Sequence, residues 1–297
     1  MKFGEIEDPS KIDLSIPESD FGGQPGTPVA DFAAYVGCAN WNREHLKNFF
    51  PRDVKDELGY YATQFNSVEL NATFYRLFPA SQFAEWRKRT APGFMFFPKL
   101  LQEITHFRRL NDFEDLVVEF VTNVGHLEEK LGAIFLQMHN DFGPGSFERL
   151  QRFVEFWRKN YKLPLAIEMR QTEWHTDQRV SNDYYHLLEE NQIINIITDT
   201  AGRRDLMHMR LTMPMAFVRF VGTGIDEIDK KRLDAWSDRL AEWKSIGLAE
   251  VYFFIHQHVE KHSPMLAAHF IEQFNKTAGR NLEPPTVFNL AAPRLLP

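Results

Sequence analysis

One pattern repeats eight times along this chain and limits the folds open to it. A short apolar or β-branched run is followed each time by a longer amphipathic segment, and the runs begin about 23 to 39 residues apart, the length of a strand, a crossover helix and two loops. Eight such units predict a parallel sheet, and eight is the number that closes a (β/α)8 TIM barrel. The runs are YVGCANW from Tyr35, SVELNATFY from Ser67, FMFFPKL from Phe94, AIFLQMH from Ala133, PLAIEMR from Pro164, INIITDT around Asn195, AFVRFVG from Ala216 and VYFFIHQH from Val251.

The length fits a single domain of this class, because α/β barrels need about 250 residues and this chain has 297. We therefore predict an irregular N-terminal arm over 1–34, a single (β/α)8 barrel domain over 35–280 and a C-terminal tail over 281–297. A doubly wound open α/β sheet is the alternative, although that fold rarely keeps so regular an order through eight units.

Charge and cysteine usage narrow the setting in which the protein works. A formal charge of −7 argues against a dedicated nucleic-acid binder, although a local basic funnel stays open. The lone Cys38 points to a reducing compartment. There is no apolar run of about 18 residues and no apolar segment at the N-terminus, so neither a membrane span nor a signal peptide is expected. We predict a soluble, cytoplasmic protein.

Side-chain alternation along the runs sorts their residues into two faces. In SVELNATFY, Glu69 and Asn71 lie opposite Val68 and Leu70. The apolar face must meet the helices, so the polar face points inward and late residues open onto the C-terminal mouth, where barrel enzymes carry their chemistry. The predicted catalytic residues there are Glu69, Lys99, His106 and Glu168. The predicted substrate-binding residues are Trp41, Asn71, Tyr75, Gln137, Arg170, Trp174, Asp199 and Arg219.

Two groups of these residues suggest chemistry. Glu69 and Glu168 suit an acid/base pair in which one carboxylate stays ionised as a base and the other keeps a raised pKa as an acid. Lys99, Arg170 and Arg219 form a cationic cluster suited to a carboxylate, phosphate or sulfate group. The structural alternative is that these charges only neutralise one another in an internal ion-pair network.

Two weaker signals complete the inventory. His256 and His258 share a strand face and are the candidates for a metal site, which leaves a divalent metal open as a cofactor although none is firmly implied. The run Gly222-Thr223-Gly224 follows the seventh strand, where barrels often bind phosphate, but a simple turn explains it equally well.

The runs YVGCANW, FNSVELNATFY, FMFFPKLLQEITH, LGAIFLQMHNDFGP, IEMRQTEW and IITD together resemble the YecE-like family, domain of unknown function 72, from about Tyr35 to about Phe274. The resemblance implies a (β/α)8 barrel. It implies no activity, because the family's name records that none is established. The positions that match its motifs are Glu69, Asn71, Thr73, Tyr75, Lys99, Thr105, His106, Gln137, Glu168, Arg170, Trp174 and Asp199.

This chain departs from the family pattern at four places. Asn40 replaces a usual Gly, His139 a common Pro, Val221 a usual His, and His256-Gln257 a common Asn-Asn. The departures predict that the family's charged core is kept while the ligand pocket is altered.

The sequence therefore favours an enzyme, a hydrolase, isomerase or lyase, that acts on a small anionic or polyhydroxylated substrate by carboxylate acid/base chemistry. The alternatives are non-catalytic binding of a phosphorylated metabolite or nucleic-acid end, and a metal-dependent hydrolase or nuclease. The oligomeric state is not indicated.

Overall fold

Eight parallel strands alternate with helices in the computed structural model, which describes residues 4–21 and 31–287. Each of the eight predicted runs contains one strand, and two further short strands, β1 and β8, pair with each other. The strands are β1 Asp20–Phe21, β2 Ala33–Cys38, β3 Ser67–Leu70, β4 Met95–Pro98, β5 Ile134–Gln137, β6 Leu165–Glu168, β7 Ile194–Thr200, β8 Arg210–Leu211, β9 Met215–Val221 and β10 Glu250–His256. The helices are α1 Glu57–Gln64, α2 Ala72–Tyr75, α3 Ala80–Lys88, α4 Glu114–Val124, α5 Phe147–Asn160, α6 Glu173–Thr176, α7 Gln178–Glu190, α8 Asp226–Ser245 and α9 Ser263–Ala278.

The predicted closed (β/α)8 barrel is wrong, although the α/β class holds. Six strands form one parallel sheet in the order β2-β10-β9-β7-β6-β5, which makes a half-barrel, and β3 pairs with β4 in a separate two-stranded sheet. The doubly wound alternative does not describe this sheet either. In a doubly wound sheet the strand order reverses direction near the middle, whereas here the strands after β2 run in one direction, from β10 to β5.

The backbone hydrogen bonds that would close the barrel are incomplete on both sides of the β3–β4 pair. Between β2 and β3, side chains take up backbone groups: Asn66 accepts from the Val36 N–H (2.9 Å) and donates to the Ala34 carbonyl (2.8 Å). The Tyr61 hydroxyl likewise accepts from the Cys38 N–H (2.8 Å) and donates to a carbonyl of β3 (3.0 Å). Between β4 and β5 there are only isolated bridges. The number of strands could be predicted from the sequence, but the replacement of backbone hydrogen bonds by these side-chain hydrogen bonds could not.

The inner face of the sheets carries an apolar layer below a polar one. Phe97 of β4 contacts Phe217 of β9 and Phe254 of β10, with ring centroids 5.9 and 5.0 Å apart, so strands that are not neighbours curve far enough for their side chains to meet. Residues two positions further along the same strands point the same way. These are polar, and they form the site described below. The buried apolar layer consists of Phe97, Ala133, Phe135, Ala166, Ile194, Ile196, Phe217, Tyr252 and Phe254.

The outer face packs against the helices in a larger core. In α5, for example, Leu150, Phe153 and Trp157 are fully buried at three- and four-residue spacing, as the amphipathic pattern predicts. Within the part of the chain that the structure describes, every helix is too short or too polar to span a lipid bilayer.

The described part of the N-terminal arm lies on the loops that follow β7 and on α8. β1 pairs with β8, Arg204 donates to the Ser15 carbonyl (2.6 Å), and Arg239 donates to the Pro17 carbonyl (2.8 Å). The predicted arm at 1–3 and 22–30 and the predicted tail at 288–297 lie outside the described residues.

Candidate functional site

The polar layer begins where β3 ends. The chain turns at Asn71 into the helical turn α2, so the strand stops at Leu70 rather than running on to Tyr75. Thr73 fixes this turn, since its hydroxyl lies 2.8 Å from the Leu70 carbonyl and 2.7 Å from the Lys99 carbonyl. Asn71 donates to Glu69 Oε1 (2.7 Å) and so holds that carboxylate from the strand side.

Arg219 of β9 joins two buried carboxylates. Its Nε and Nη2 donate to the two oxygens of Glu69 (2.9 and 2.8 Å), and its Nη1 donates to Glu168 Oε2 (2.5 Å). Both carboxylates are at most 1% exposed, and Arg219 is 6% exposed. Arg170 donates from Nε to the other oxygen of Glu168. A bidentate guanidinium contact of this kind is among the stronger hydrogen-bonded ion pairs.

Gln137 lies at the point where three cations converge. Its Oε1 accepts from Lys99 Nζ (3.0 Å), Arg170 Nη2 (2.8 Å) and Arg219 Nη1 (3.1 Å). A neutral amide oxygen therefore occupies a place suited to an anion. We call the whole group the Arg219 network, which consists of Glu69, Asn71, Lys99, Gln137, Glu168, Arg170, Arg219 and His256.

Both predicted catalytic carboxylates are held in the ionised form. Burial alone would raise the pKa of Glu168, but the charges of Arg170 and Arg219 outweigh it and lower that pKa from 4.5 to about 2. Burial is likewise outweighed at Glu69, where Arg219 and His256 hold the pKa well below its usual value. Neither residue suits the role of a general acid with a raised pKa.

Two nitrogen groups of the site, on Lys99 and His106, have lowered pKa values. Burial, reinforced by the positive charge of Arg219 and only partly opposed by Glu168, lowers the pKa of Lys99 to about 7. Burial and the charge of Lys99 lower the pKa of His106 to about 4, so this imidazole is neutral at physiological pH. His106 packs edge-on against Phe74 with ring centroids 4.8 Å apart, and its Nδ1 lies 2.9 Å from the Thr105 hydroxyl.

A pocket of about 590 Å³ opens beside this network. His256 stands on its wall with Nε2 3.1 Å from Glu69 Oε2, and since an ionised carboxylate only accepts, Nε2 carries the proton in this contact. Nδ1 of the neutral ring is then an acceptor. The pocket is lined by Ala39, Asn40, Trp41, Asn42, His45, Leu70, Asn71, Ala72, Tyr75, Arg219, His256 and Glu260.

Glu260 is one of the polar pocket residues that the sequence analysis missed, together with Asn42 and His45. Burial raises the pKa of its carboxyl, opposed by His256 and by the Ser263 hydroxyl, which donates to it at 2.7 Å. It begins the short 3-10 turn Glu260–His262 after β10, which has no periodicity that could mark one of its residues as facing the pocket.

Some predicted site residues lie elsewhere. Asp199 is fully buried on the opposite side of β7, where it accepts from Arg204 (2.6 Å) and from Trp236 Nε1 (2.8 Å). Trp174 is fully buried and donates to the Phe142 carbonyl (2.6 Å), so it cannot cover a ligand. Trp41 and Tyr75 do line the pocket, and the Tyr75 side chain is largely exposed.

The described residues do not form the metal site suggested for His256 and His258 or the phosphate site suggested for Gly222-Thr223-Gly224. Among residues 4–21 and 31–287, no three His, Cys, Asp or Glu side chains are placed to hold a metal ion, and His256 pairs with Glu69 rather than with His258. The N–H groups of Thr223 and Gly224 donate to the Asp229 carboxylate (2.8 and 3.1 Å), so they are not directed at an external phosphate.

Known proteins match most of this chain in sequence or in fold. The family model described as "Protein of unknown function DUF72" matches residues 35–287. The chain belongs to this family. It is 25% identical to the UPF0759 protein YecE of Escherichia coli K12 over 261 residues, which cover 82% of this chain and 93% of that protein. It is 28% identical to the UPF0759 protein YunF of Bacillus subtilis over 151 residues, 47% of this chain and 51% of that one.

Two crystal structures of DUF72 proteins share the fold. The protein from Enterococcus faecalis V583 aligns with a TM-score of 0.65 at 20% identity, over 84% of this chain and 99% of that one. The protein from Thermotoga maritima MSB8 aligns with a TM-score of 0.62 at 23% identity, over 84% of this chain and all of that one. No activity is established for the DUF72 family, so the chemistry has to be argued from the residues.

Two of the departures from the DUF72 pattern, Asn40 and His256, line the pocket. The matching residues Glu69, Lys99 and Glu168 lie in the buried network behind it. The altered ligand pocket inferred from these departures stays a prediction.

Proposed function

We propose that this DUF72 protein is an enzyme that binds a small anionic or polyhydroxylated molecule in the 590 Å³ pocket and moves protons on it. The observation that carries the proposal is the contact of His256 Nε2 with the ionised carboxylate of Glu69 on the pocket wall. A carboxylate in this position fixes the imidazole tautomer with the proton on Nε2, which leaves Nδ1 as the acceptor that a general base requires.

Glu260 supplies the matching acid. Its raised pKa keeps the carboxyl protonated to higher pH than that of an ordinary Glu, and it lines the same pocket as His256. We therefore assign the carboxylate roles differently from the sequence prediction: Glu69 orients the base and Glu168 holds Arg170 and Arg219, while the acid comes from the turn after β10. An acid and a base on the wall of one pocket are what proton transfer on a bound molecule requires.

The anionic part of the substrate would be met by positive charge. Lys99, Arg170 and Arg219 carry three cationic groups against the two carboxylates Glu69 and Glu168 when Lys99 is protonated. The same surplus also favours the second function, binding of a phosphorylated or carboxylated metabolite without chemistry. A cytoplasmic location remains a prediction that rests on the single cysteine and the composition.

The test is to incubate the protein in D2O with free sugars, sugar acids and sugar phosphates, and to follow proton exchange and turnover of each compound by proton NMR. We expect at least one of them to lose a C–H signal or to be converted, and His256→Asn to slow this by about 100-fold or more. The matched control is His258→Asn, which should leave the rate unchanged. Saturable binding without exchange or turnover, weakening steeply with salt, would instead establish the binding function.

A further inference from the structure

Lys99 is an unusual buried lysine. It is 7% exposed, and its Nζ donates to the neutral Gln137 Oε1 at 3.0 Å and lies 4.1 Å from the centre of the Phe74 ring. Among the described residues, no carboxylate lies within ion-pair distance of it, because the oxygens of Glu69 and Glu168 are held by guanidinium groups.

Lys130 provides the contrast within the same chain. It is 5% exposed, yet its Nζ donates to three oxygens, the Arg87 carbonyl (2.7 Å), the Thr90 carbonyl (2.6 Å) and the Thr90 hydroxyl (3.0 Å). Three acceptors are the full complement of an ammonium group. Lys130 thus has an acceptor for each proton of an ammonium group, although burial lowers its pKa too, whereas Lys99 has one amide oxygen and an aromatic face.

The charge count around Lys99 favours the free amine. With Lys99 neutral, the guanidinium groups of Arg170 and Arg219 balance the carboxylates of Glu69 and Glu168; with Lys99 protonated, the buried cluster carries one excess positive charge. An unbalanced buried charge is costly. The lowered pKa of Lys99, about 7 through burial and the charge of Arg219, agrees with this count. A desolvated lysine beside other cations is a recognised form of activated nucleophile.

We propose that Lys99 captures the carbonyl carbon of a small oxo acid as an imine. The nitrogen lone pair forms the C–N bond while the carbonyl π bond breaks, and the oxygen takes a proton to give a carbinolamine. The hydroxyl then leaves with a proton as water, so that amine and carbonyl become imine and water with no change of oxidation state.

The surroundings select an oxo acid over a neutral aldehyde. A protonated imine restores the excess positive charge that the free amine avoids, and a carboxylate on the substrate cancels it within the same small volume. Arg170 and Arg219 are the guanidinium groups at hand for that carboxylate, since both share the Gln137 oxygen with Lys99. His106, neutral and packed on the Phe74 ring that Lys99 also contacts, is placed to carry the protons.

This inference rests on the proposed function and names its substrate class: Lys99 does not itself line the 590 Å³ pocket but shares the Gln137 oxygen with Arg219, which does. Its test needs no turnover. The protein is incubated at neutral pH with glyoxylate and sodium cyanoborohydride, digested, and mapped by mass spectrometry. We expect Lys99 to gain the reduced adduct at least about tenfold faster than Lys130 and than the exposed Lys231, because only a neutral amine attacks a carbonyl. Acetaldehyde at the same concentration should label Lys99 more slowly than glyoxylate does.

The outcomes separate the claims. Labelling of Lys99 no faster than of Lys130 would overturn the imine, and equal rates with glyoxylate and acetaldehyde would overturn the choice of an oxo acid. The comparison uses the unaltered protein, so it does not depend on the folding of a variant. His256→Asn should still form the Lys99 adduct. If the wild type forms the adduct but converts no substrate, the imine is supported and the proposed function is not. If the wild type exchanges protons in D2O but forms no adduct, the proposed function is supported and the imine is not.

Discussion

Two buried ion networks lie on opposite sides of the same sheet. The Arg219 network occupies the inner face beside the pocket, whereas a second one lies between the sheet and α8. We call the second the Arg232 network, which consists of Asp199, Arg204, Asp229, Arg232, Trp236 and Gln257. Both bury carboxylates completely and both centre on an arginine.

The Arg232 network is balanced in charge. Arg232 bonds to Asp199 (2.8 Å) and Asp229 (3.1 Å), and Arg204 supplies the second positive charge. Asp229 also accepts the N–H groups of Thr223 and Gly224, which fixes the loop after β9. Its charges are used to join a strand, a loop and a helix.

The Arg219 network differs in three respects: it contains an amine, Lys99, that has no carboxylate partner, one of its members is an imidazole, and it borders a pocket. The comparison teaches that burial and pairing alone do not mark a functional site. The informative features are an unpaired amine and a wall open to a ligand.

The largest expected effect is on stability at the Arg232 network. Arg232→Met leaves two buried aspartates without their shared partner, which costs about 3–5 kcal/mol in the free energy of unfolding. Chemical denaturation measures this, with the exposed neighbour Lys231→Met as a control that changes stability by less than about 0.5 kcal/mol. A loss below about 1 kcal/mol for Arg232→Met would remove the structural role assigned to this network.

Acid should weaken the Arg219 network through Glu168. Its pKa is lowered from 4.5 to about 2 in the folded protein, so the unfolded chain takes up the proton first as the pH falls, and stability present above pH 4.5 is lost towards pH 2. The full contribution is about 3 kcal/mol, since one pKa unit corresponds to about 1.4 kcal/mol. Denaturation of the wild type and of Glu168→Gln between these pH values should show a shallower decline in the variant; parallel curves would contradict the assignment.

The two buried lysines should respond in opposite ways. Lys130→Met leaves two carbonyls and a hydroxyl without their donor and costs about 1–3 kcal/mol. Lys99→Met removes an ammonium that lacks a carboxylate and should be neutral or stabilising near pH 7.

The Lys99 difference should itself depend on pH. The unfolded amine stays protonated up to its usual pKa of 10.5, whereas the folded amine loses its proton near 7. The unfolded state therefore binds more protons in this range, and the stability of the wild type rises with pH relative to Lys99→Met. Unfolding curves of both proteins at several pH values measure the gap; a gap that does not change with pH would contradict a depressed pKa.

Much of the inner site could be predicted from alternation alone. Glu69, Lys99, Gln137, Glu168 and Arg219 each follow, by two residues, an inward-facing position of a strand, and the structure brings them together. Such residues can be read from a sequence because a strand fixes the direction of every second side chain.

The remaining misassignments depend on tertiary contacts. Asp199 falls on the outer face, and only the position of Arg232 on α8 shows what it pairs with. Glu260 lies in a short 3-10 turn without a period. Barrel closure failed because Asn66 and Tyr61 supply with side chains the hydrogen bonds that a strand ladder would have made.

The most direct test of the account is the ionisation of Lys99 itself. Protein labelled with carbon-13 at the lysine Cε position is titrated by NMR, and Lys99→Met assigns the resonance. The account predicts one lysine signal that shifts with a midpoint near pH 7 and is missing from the variant. If the Lys99 signal instead titrates near the usual 10.5, its amine is an ordinary buried cation, and the distinction between the two networks on which the proposed chemistry depends is wrong.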